Sequence, residues 1–217
     1  MREVFFLSND CSILVVIIPE TFALLTVLLT TLGLSLPAGL NAWIPLLILA
    51  LSDRFTSQIE LTEPYDFISS TPGIIIILAL LPIELFADKV PGVDHISDIV
   101  HTFVRPIVGA VIAAGVADAS QDLNVLAAAA IGLAGAGATH AVKMSARPVI
   151  TVSTGGIGNP ITSMIEDTVA AISSLIAVFF PLILVILLPA LAFTMVMTWR
   201  RLKRGSARLR RLSPQSG

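Results

Sequence analysis

Charged and titratable residues in this chain crowd the ends of apolar runs, at spacings that place several of them on common helix faces. Glu84 and Asp88 are four residues apart, so both carboxylates project from one side of a helix. Two such groups repel unless a proton, a cation or a basic side chain lies between them, which makes them candidates for a proton relay or a cation site. Their other role is to pair with Lys89, Arg105 or Lys143 and simply join helices. Asp94, Asp98, His101 and Arg105 draw one polar stripe along a helix, with Arg105 at an expected break because Pro106 follows. The stripe is either the wet side of an interfacial helix or part of a site. His140, Lys143 and Arg147 repeat the pattern with mainly basic groups, suited to an anionic substrate or to ion pairs with the first group.

A glycine-rich segment follows, from Thr151 through Gly155, Gly156 and Gly158 to Asn159-Pro160, and then Ser163 and Glu166-Asp167. Asn159 and Pro160 read as an N-cap and first helical position. The segment is expected to unwind, with N–H groups able to cradle a phosphate or carboxylate. No Gly-Lys-Ser/Thr follows, so it is not a Walker loop. No metal-ligand spacing of the His-Glu-x2-His kind is present, Asp94-His95 and Asp98/His101 are too loose for a metal site, and no nucleophile elbow occurs. Neither a metal nor a cofactor is expected, and catalysis is the less favoured class. The candidate substrate or ion site comprises Glu84, Asp88, Lys89, Asp94, Asp98, His101, Arg105, His140, Lys143, Arg147, Asn159, Ser163, Glu166 and Asp167.

The elements that position these groups belong to a membrane protein. Hydrophobic residues make up 55% of 217 positions and charged residues only 13%, about half the share in a soluble domain. Mean hydropathy is +0.92. Apolar runs at 12–34, 38–52, 72–88, 103–117, 123–142, 160–178 and 179–199 predict an all-α polytopic domain over 1–199 with six or seven spans. The uncharged stretch 168–199 is too long for one span and should break at Ser173–Ser174 or at Pro181, with a kink at Pro189. Residues 127–137 form an unusually small-sided helix, fit for close packing inside the bundle or between copies in a homo-oligomer. Pro37 precedes Gly39-Leu-Asn41-Ala-Trp43, which opens the second span with Trp43 near an interface.

Seven of the 13 Lys and Arg lie in the tail, at Arg200, Arg201, Lys203, Arg204, Arg208, Arg210 and Arg211. By the positive-inside rule this tail, 200–217, is cytoplasmic, and contact with anionic lipid is favoured over nucleic acid. Lys89, Lys143 and Arg147 then also fall inside, while 53–66 and 118–122 fall outside. In this arrangement the charged helix ends meet on the cytoplasmic side. A six-span version, with one short run re-entrant, also fits. Segments 38–117 and 123–199 are candidates for two inverted three-helix repeats after an N-terminal helix. Cys11 is the single cysteine, so no disulfide framework exists.

Gly39-Leu-Asn-Ala, Glu84-x3-Asp88-Lys-Val-Pro91-Gly-Val-Asp94, Arg105-Pro106 and His140-Ala-Val-Lys143-x3-Arg147 together resemble the bacterial membrane family called domain of unknown function 4126. So does Thr154-Gly-Gly-Ile-Gly-Asn-Pro160-x2-Ser163-x2-Glu166-Asp167. The resemblance runs from about residue 36 to 185 and implies a location in the bacterial cytoplasmic membrane, but supplies no substrate. The favoured function is a small secondary transporter or channel-like carrier for a small ion or anionic solute. A lipid-phosphate translocator or enzyme, and a non-catalytic scaffold, are the alternatives. A water-accessible cavity between the charged groups is expected of a carrier, and a dry, fully paired network of a scaffold.

Overall fold

The computed structural model describes residues 7–87 and 93–190, with Phe193, Val196, Met197 and Arg200; side chains are described from Glu20 to Ala87 and from Ile99 onward. Asp88 and Lys89, the side chains of Asp94 and Asp98, and the tail beyond Arg200 lie outside the described residues. Among those described, every regular element is helical. The elements are α1 (Leu7–Ser35), α2 (Trp43–Phe55), α3 (Thr71–Ala87), α4 (Val93–Ser120), α5 (Val125–Thr154), α6 (Gly158–Phe179) and a short apolar α7 (Pro181–Ala190).

Four segments, Glu20–Gly39, Ile99–Ser120, Val125–Thr154 and Gly158–Phe179, are long and apolar enough to cross a membrane. Large apolar side chains face outward all round: Ile75 and Phe86 on α3, Phe103 and Ile107 on α4, Ile131 and Leu133 on α5. In water such a surface would drive association; in lipid it is the solvated one. The helices therefore fit an integral membrane protein.

Antiparallel packing organises the bundle. Thr30 Oγ1 of α1 donates to the Ala177 carbonyl of α6 at 3.1 Å, and Asn41 just past α1 reaches Asp167 of α6 at 3.0 Å. The closest pair is α4 with α5. A Cβ on Gly132 would lie 2.3 Å from the Gly109 carbonyl oxygen and 2.5 Å from the Ala113 Cβ. The small residues of α5 thus seat one backbone against another, as expected, while Leu126, Ile131 and Leu133 on the other face are exposed. The 56–70 connection is pinned at one end of the bundle. Asp53 accepts from the Leu61 N–H, Arg54 bonds the Ser69 carbonyl and Thr71, and Thr62 bonds Asp118.

Three expectations change. Helix α4 continues through Pro106, and α5 through Pro148, so no break lies at Arg105. The close α4–α5 seam holds α4 in place around a proline that costs it one hydrogen bond. The glycine-rich segment is not unwound. Thr151–Thr154 finish α5, Gly155 and Gly156 take positive φ of 62° and 90° to turn the chain, and α6 begins at Gly158. Asn159 therefore lies inside the first turn of α6, and its amide exchanges hydrogen bonds with Thr151 instead of capping. Trp43 opens α2 beside a break and is half-buried against the core. Of the two breaks offered for 168–199, the chain uses Pro181: α6 ends at Phe179 and runs unbroken through Ser173–Ser174.

The main break lies elsewhere, at 36–42. A short 3-10 turn, Pro37–Gly39, reverses the chain so that α1 and α2 form a hairpin whose tip is buried. Helix α2 has 13 residues, about 20 Å, less than the roughly 30 Å of a bilayer core.

The α4–α5 seam makes a direct prediction. Gly132→Ala should destabilise by about 1–3 kcal/mol, since its new methyl meets backbone. Gly137→Ala, whose Cβ would find only Pro106 at 3.6 Å, should be neutral or stabilising through helix propensity. Thermal unfolding of the two purified variants checks the contrast.

Candidate functional site

The buried tip of the α1–α2 hairpin is where the charged residues gather. Pro37, Ala38, Gly39, Asn41 and Ala42 are buried, so their peptide groups have no water; the Leu40 and Asn41 N–H groups turn back to the Pro37 carbonyl, and the Leu40 carbonyl and Ala42 N–H meet side chains of other helices. Three successive residues are each tied to a different helix. The Leu40 carbonyl accepts from Lys143 Nζ of α5 at 2.9 Å. The Asn41 amide donates to Asp167 Oδ1 of α6 at 3.0 Å. The Ala42 N–H donates to Glu84 Oε2 of α3 at 3.2 Å. Asn41 also starts α2, because its Oδ1 accepts from the Trp43 and Ile44 N–H groups, both at 3.1 Å.

Glycine is needed at 39. An added Cβ would lie 2.3 Å from the Ala136 carbonyl oxygen and 2.6 Å from the Thr139 Cβ, so any side chain would push the tip off α5.

Behind the tip stands a buried ion-pair relay. Arg105, fully buried, places Nε at 3.1 Å and Nη2 at 2.7 Å from one oxygen of Glu84, itself 1% exposed. Its Nη1 lies 3.0 Å from His140 Nδ1. A guanidinium only donates, so Nδ1 must accept; the hydrogen bond assigns His140 as the neutral ring with its proton on Nε2, directed at Thr102 Oγ1 3.2 Å away. His101 Nε2 stands 3.6 Å from the same Glu84 oxygen. The second pair, Lys143 with Glu166 at 2.9 Å, joins α5 to α6; the Lys143 side chain is fully buried and Glu166 is 15% exposed.

Of the residues expected in the site, Glu84, His101, Arg105, His140, Lys143, Glu166 and Asp167 converge around residues 40–42. Ser163, buried and on the Asp167 face of α6, lies one turn away. Asn159 stays at the α5–α6 turn with Thr151. Arg147 is one turn beyond Lys143 on α5 and is also engaged in an interaction.

One expectation of geometry is corrected. Arg105, His140, Lys143, Glu166 and Asp167 sit partway along continuous helices, not at helix ends. Two of the ion pairs, Glu84–Arg105 and Lys143–Glu166, each lie within one half of the chain. Hydrogen bonds that join the halves include Arg105–His140, Thr102–His140, Lys143–Leu40 and Asn41–Asp167. Asn41, Thr102 and the backbone of Leu40 and Ala42 complete the site and were missing from the candidate set. Among the described residues no group of three His, Cys, Asp or Glu is arranged to hold a metal.

The family of this chain follows from the same residues. A family described as a domain of unknown function, DUF4126, matches residues 28–201, a range that takes in the last turns of α1, the break and every charged group above. The chain belongs to this family. No curated protein and no solved structure matches. The match extends past the quoted motifs at both ends, so the family unit contains the whole hairpin tip and α7.

The relay predicts an asymmetric response to substitution. Arg105→Gln should cost about 3–5 kcal/mol, because it strands Glu84 in the interior. Adding Glu84→Gln should recover much of that loss, since two neutral amides can bond each other where a lone carboxylate cannot. Unfolding free energies of the two single variants and the double variant measure the recovery; a double variant as unstable as the sum of the singles would refute the pairing.

Proposed function

We propose that this protein is a small membrane carrier, with the hairpin tip and its ion pairs as the site that couples movement of a small ion or anionic solute to protons or cations. The observation behind the reading is the unwound, buried segment 40–42, whose carbonyl and N–H groups are bonded to Lys143 and Glu84. Broken helices whose freed peptide groups meet charge inside the bundle are a recurring way for transporters to bind ions at membrane depth. Titratable groups there are costly and are retained mainly where charge is moved or exchanged. Partial exposure of Glu166 makes Lys143–Glu166 the pair open to exchange, with Glu84–Arg105 as the fixed one.

In this reading α1 and α2 form a re-entrant hairpin, and α3 to α7 are the crossing helices. The turn at Gly155–Gly156 and the basic tail then share the cytoplasmic side, and the 56–70 connection is external. Segments 38–117 and 123–199 would be the two inverted halves, with the hairpin's second arm as the short first member. A bacterial cytoplasmic membrane, anionic lipid at the tail and assembly into homo-oligomers belong to the same proposal.

One observation favours a structural role instead: Glu84, Arg105, Lys143 and Glu166 all have opposite charges beside them, as a scaffold would require. Lipid-phosphate handling would need Arg105 or Lys143 released from its carboxylate.

Proteoliposomes separate these readings. Proton flux, read with a trapped pH dye under a valinomycin-set potassium potential and a panel of candidate solutes, should be lost in a Glu166→Gln protein that remains folded, although its melting temperature falls because buried Lys143 loses its partner. Retained flux with a lowered melting temperature would make the pair structural.

A further inference from the structure

The two buried carboxylates are paired with different kinds of cation. Glu84 meets an arginine, whose guanidinium keeps its charge in any surroundings. Glu166 meets a lysine, whose ammonium can give up a proton and leave its place. That place is filled, so it needs no cavity beside it. Nζ of Lys143 lies 2.9 Å from the Leu40 carbonyl oxygen and 2.9 Å from Glu166 Oε2, with the side chain wholly buried. A carbonyl from unwound backbone together with a carboxylate is an oxygen set that holds an alkali cation as well as an ammonium.

The Leu40 carbonyl is available to a cation because of the residue after it. In a continuing helix it would accept from the N–H of Trp43 or Ile44, three and four residues on. Both of these donate to Asn41 Oδ1 instead, at 3.1 Å. Leu40 also closes the 3-10 turn that follows α1, so its carbonyl belongs to the negative pole of that run of peptides. Ala42, at the start of α2, meets Glu84 with the positive pole. The broken hairpin thus sorts charge, a cation on the Leu40 side and an anion on the Ala42 side. The anion position is already closed by Glu84 with Arg105.

A third oxygen stands close by on α6. Thr162, Thr168 and Ser173 turn their hydroxyls back to the carbonyl one turn earlier, as hydroxyls in apolar helices do. Ser163 does not; it is 1% exposed, and its Oγ has no partner among the described residues. Ser35 and Ser174 share this state, but only Ser163 lies within one turn of a carboxylate. Glu166 and Asp167 are three and four residues on, and helical side chains lean toward the N-terminus, so both reach back over the turn that carries Ser163.

We infer that the Lys143 ammonium occupies the site of a monovalent alkali cation, which replaces it on the Leu40 carbonyl, Glu166 and Ser163 in exchange for one proton. One N–H bond of the ammonium breaks, its electron pair stays on Nζ, and the proton passes to water as the cation takes the oxygens. One positive charge replaces another, so Glu166 stays neutralised throughout. A divalent cation would leave excess charge inside an apolar bundle. The assignment rests on the carrier reading and narrows it to cation–proton exchange, with an anionic solute excluded as cargo.

Proton release tests it on purified protein in weakly buffered detergent solution at mildly alkaline pH, with a soluble pH dye. Sodium or potassium chloride should release up to one proton per wild-type protein, and choline chloride none. Lys143→Arg keeps a charge opposite Glu166 but cannot lose its proton, so it should release none. Glu84, His101 and Arg105 across the tip, and His140, Arg147 and Asp167 beside the pair, are kept in every variant, so the difference reports position 143. No release from the wild type, or equal release from Lys143→Arg, overturns the assignment. Where Lys143→Arg fails to fold, Ser163→Ala decides. It should need about threefold more salt or beyond for the same release, as loss of one neutral oxygen contact implies, while its melting temperature in choline holds or rises. An unchanged salt requirement overturns the site. Cation-linked release without flux in vesicles would sink the carrier reading alone, and flux without such release would sink this assignment alone.

Discussion

The site answers one demand, the hydrogen-bonding need of two peptide groups left unwound inside an apolar bundle, the Leu40 carbonyl and the Ala42 N–H. An unpaired backbone group in such surroundings costs several kcal/mol, and lipid offers no relief. Neutral side chains could satisfy these groups, but the partners of the Leu40 carbonyl and the Ala42 N–H are both charged. A charged partner makes a stronger bond and is itself stabilised by the peptide dipole it meets. It also brings its own solvation debt, which explains the second layer. Glu84 can serve the Ala42 N–H only because Arg105 neutralises it, and Lys143 can serve the Leu40 carbonyl only beside Glu166. Four helices are thereby fixed around a hairpin tip of a few residues.

Such a relay needs backbones unusually near one another. The Arg105 guanidinium spans α3, α4 and α5 at once, with contacts of 2.7 Å to Glu84 and 3.0 Å to His140. It can do so because Gly109 and Gly132 let α4 and α5 touch, and Gly39 lets the tip rest on the α5 backbone. Small residues and large charges are thus two halves of one design, since each buried ion pair repays its desolvation only when geometry is tight. His140 closes the relay as a neutral acceptor, which avoids a third positive charge beside Arg105 and Lys143.

The chemical content of the site was legible in the sequence because a charge inside an apolar run is a local signal. Glu84, Arg105, His140, Lys143, Glu166 and Asp167 stand out by type alone. Helix ends were less legible for the same reason. Pro106 looks like the end of a helix when the preference of its neighbour is counted singly; held against α5, α4 continues through Arg105 and Pro106. The real break carried weaker marks, Pro37, Gly39 and Asn41, and its decisive atoms belong to the backbones of Leu40 and Ala42. No side-chain pattern announces a carbonyl or an N–H that needs a partner. Thr102 escaped for a similar reason, since a hydroxyl opposite a histidine has meaning only when α4 and α5 are side by side.

The order of charges at the tip has a mechanical consequence for a carrier. Leu40 presents a carbonyl to a cation and Ala42 presents an N–H to an anion, two residues apart on one stiff turn that begins with proline. Neither bond can lengthen far without moving the peptide plane that carries the other. A proton or cation that displaces Lys143 from Glu166 would therefore also act on Glu84, through the backbone and without direct contact between the pairs. Coupling of this kind requires a two-position element that both sites bias. The Pro37–Gly39 turn is the natural one, because Gly39 already rests against α5 at a distance that no side chain could occupy. Displacement of the tip away from α5 would lengthen the Lys143–Leu40 bond, and the Ala42–Glu84 bond at 3.2 Å would give before the Glu84–Arg105 pair at 2.7 Å. In the carrier reading, exchange at the partly exposed pair then reaches Glu84 as the loss of its backbone donor, with the buried pair left closed.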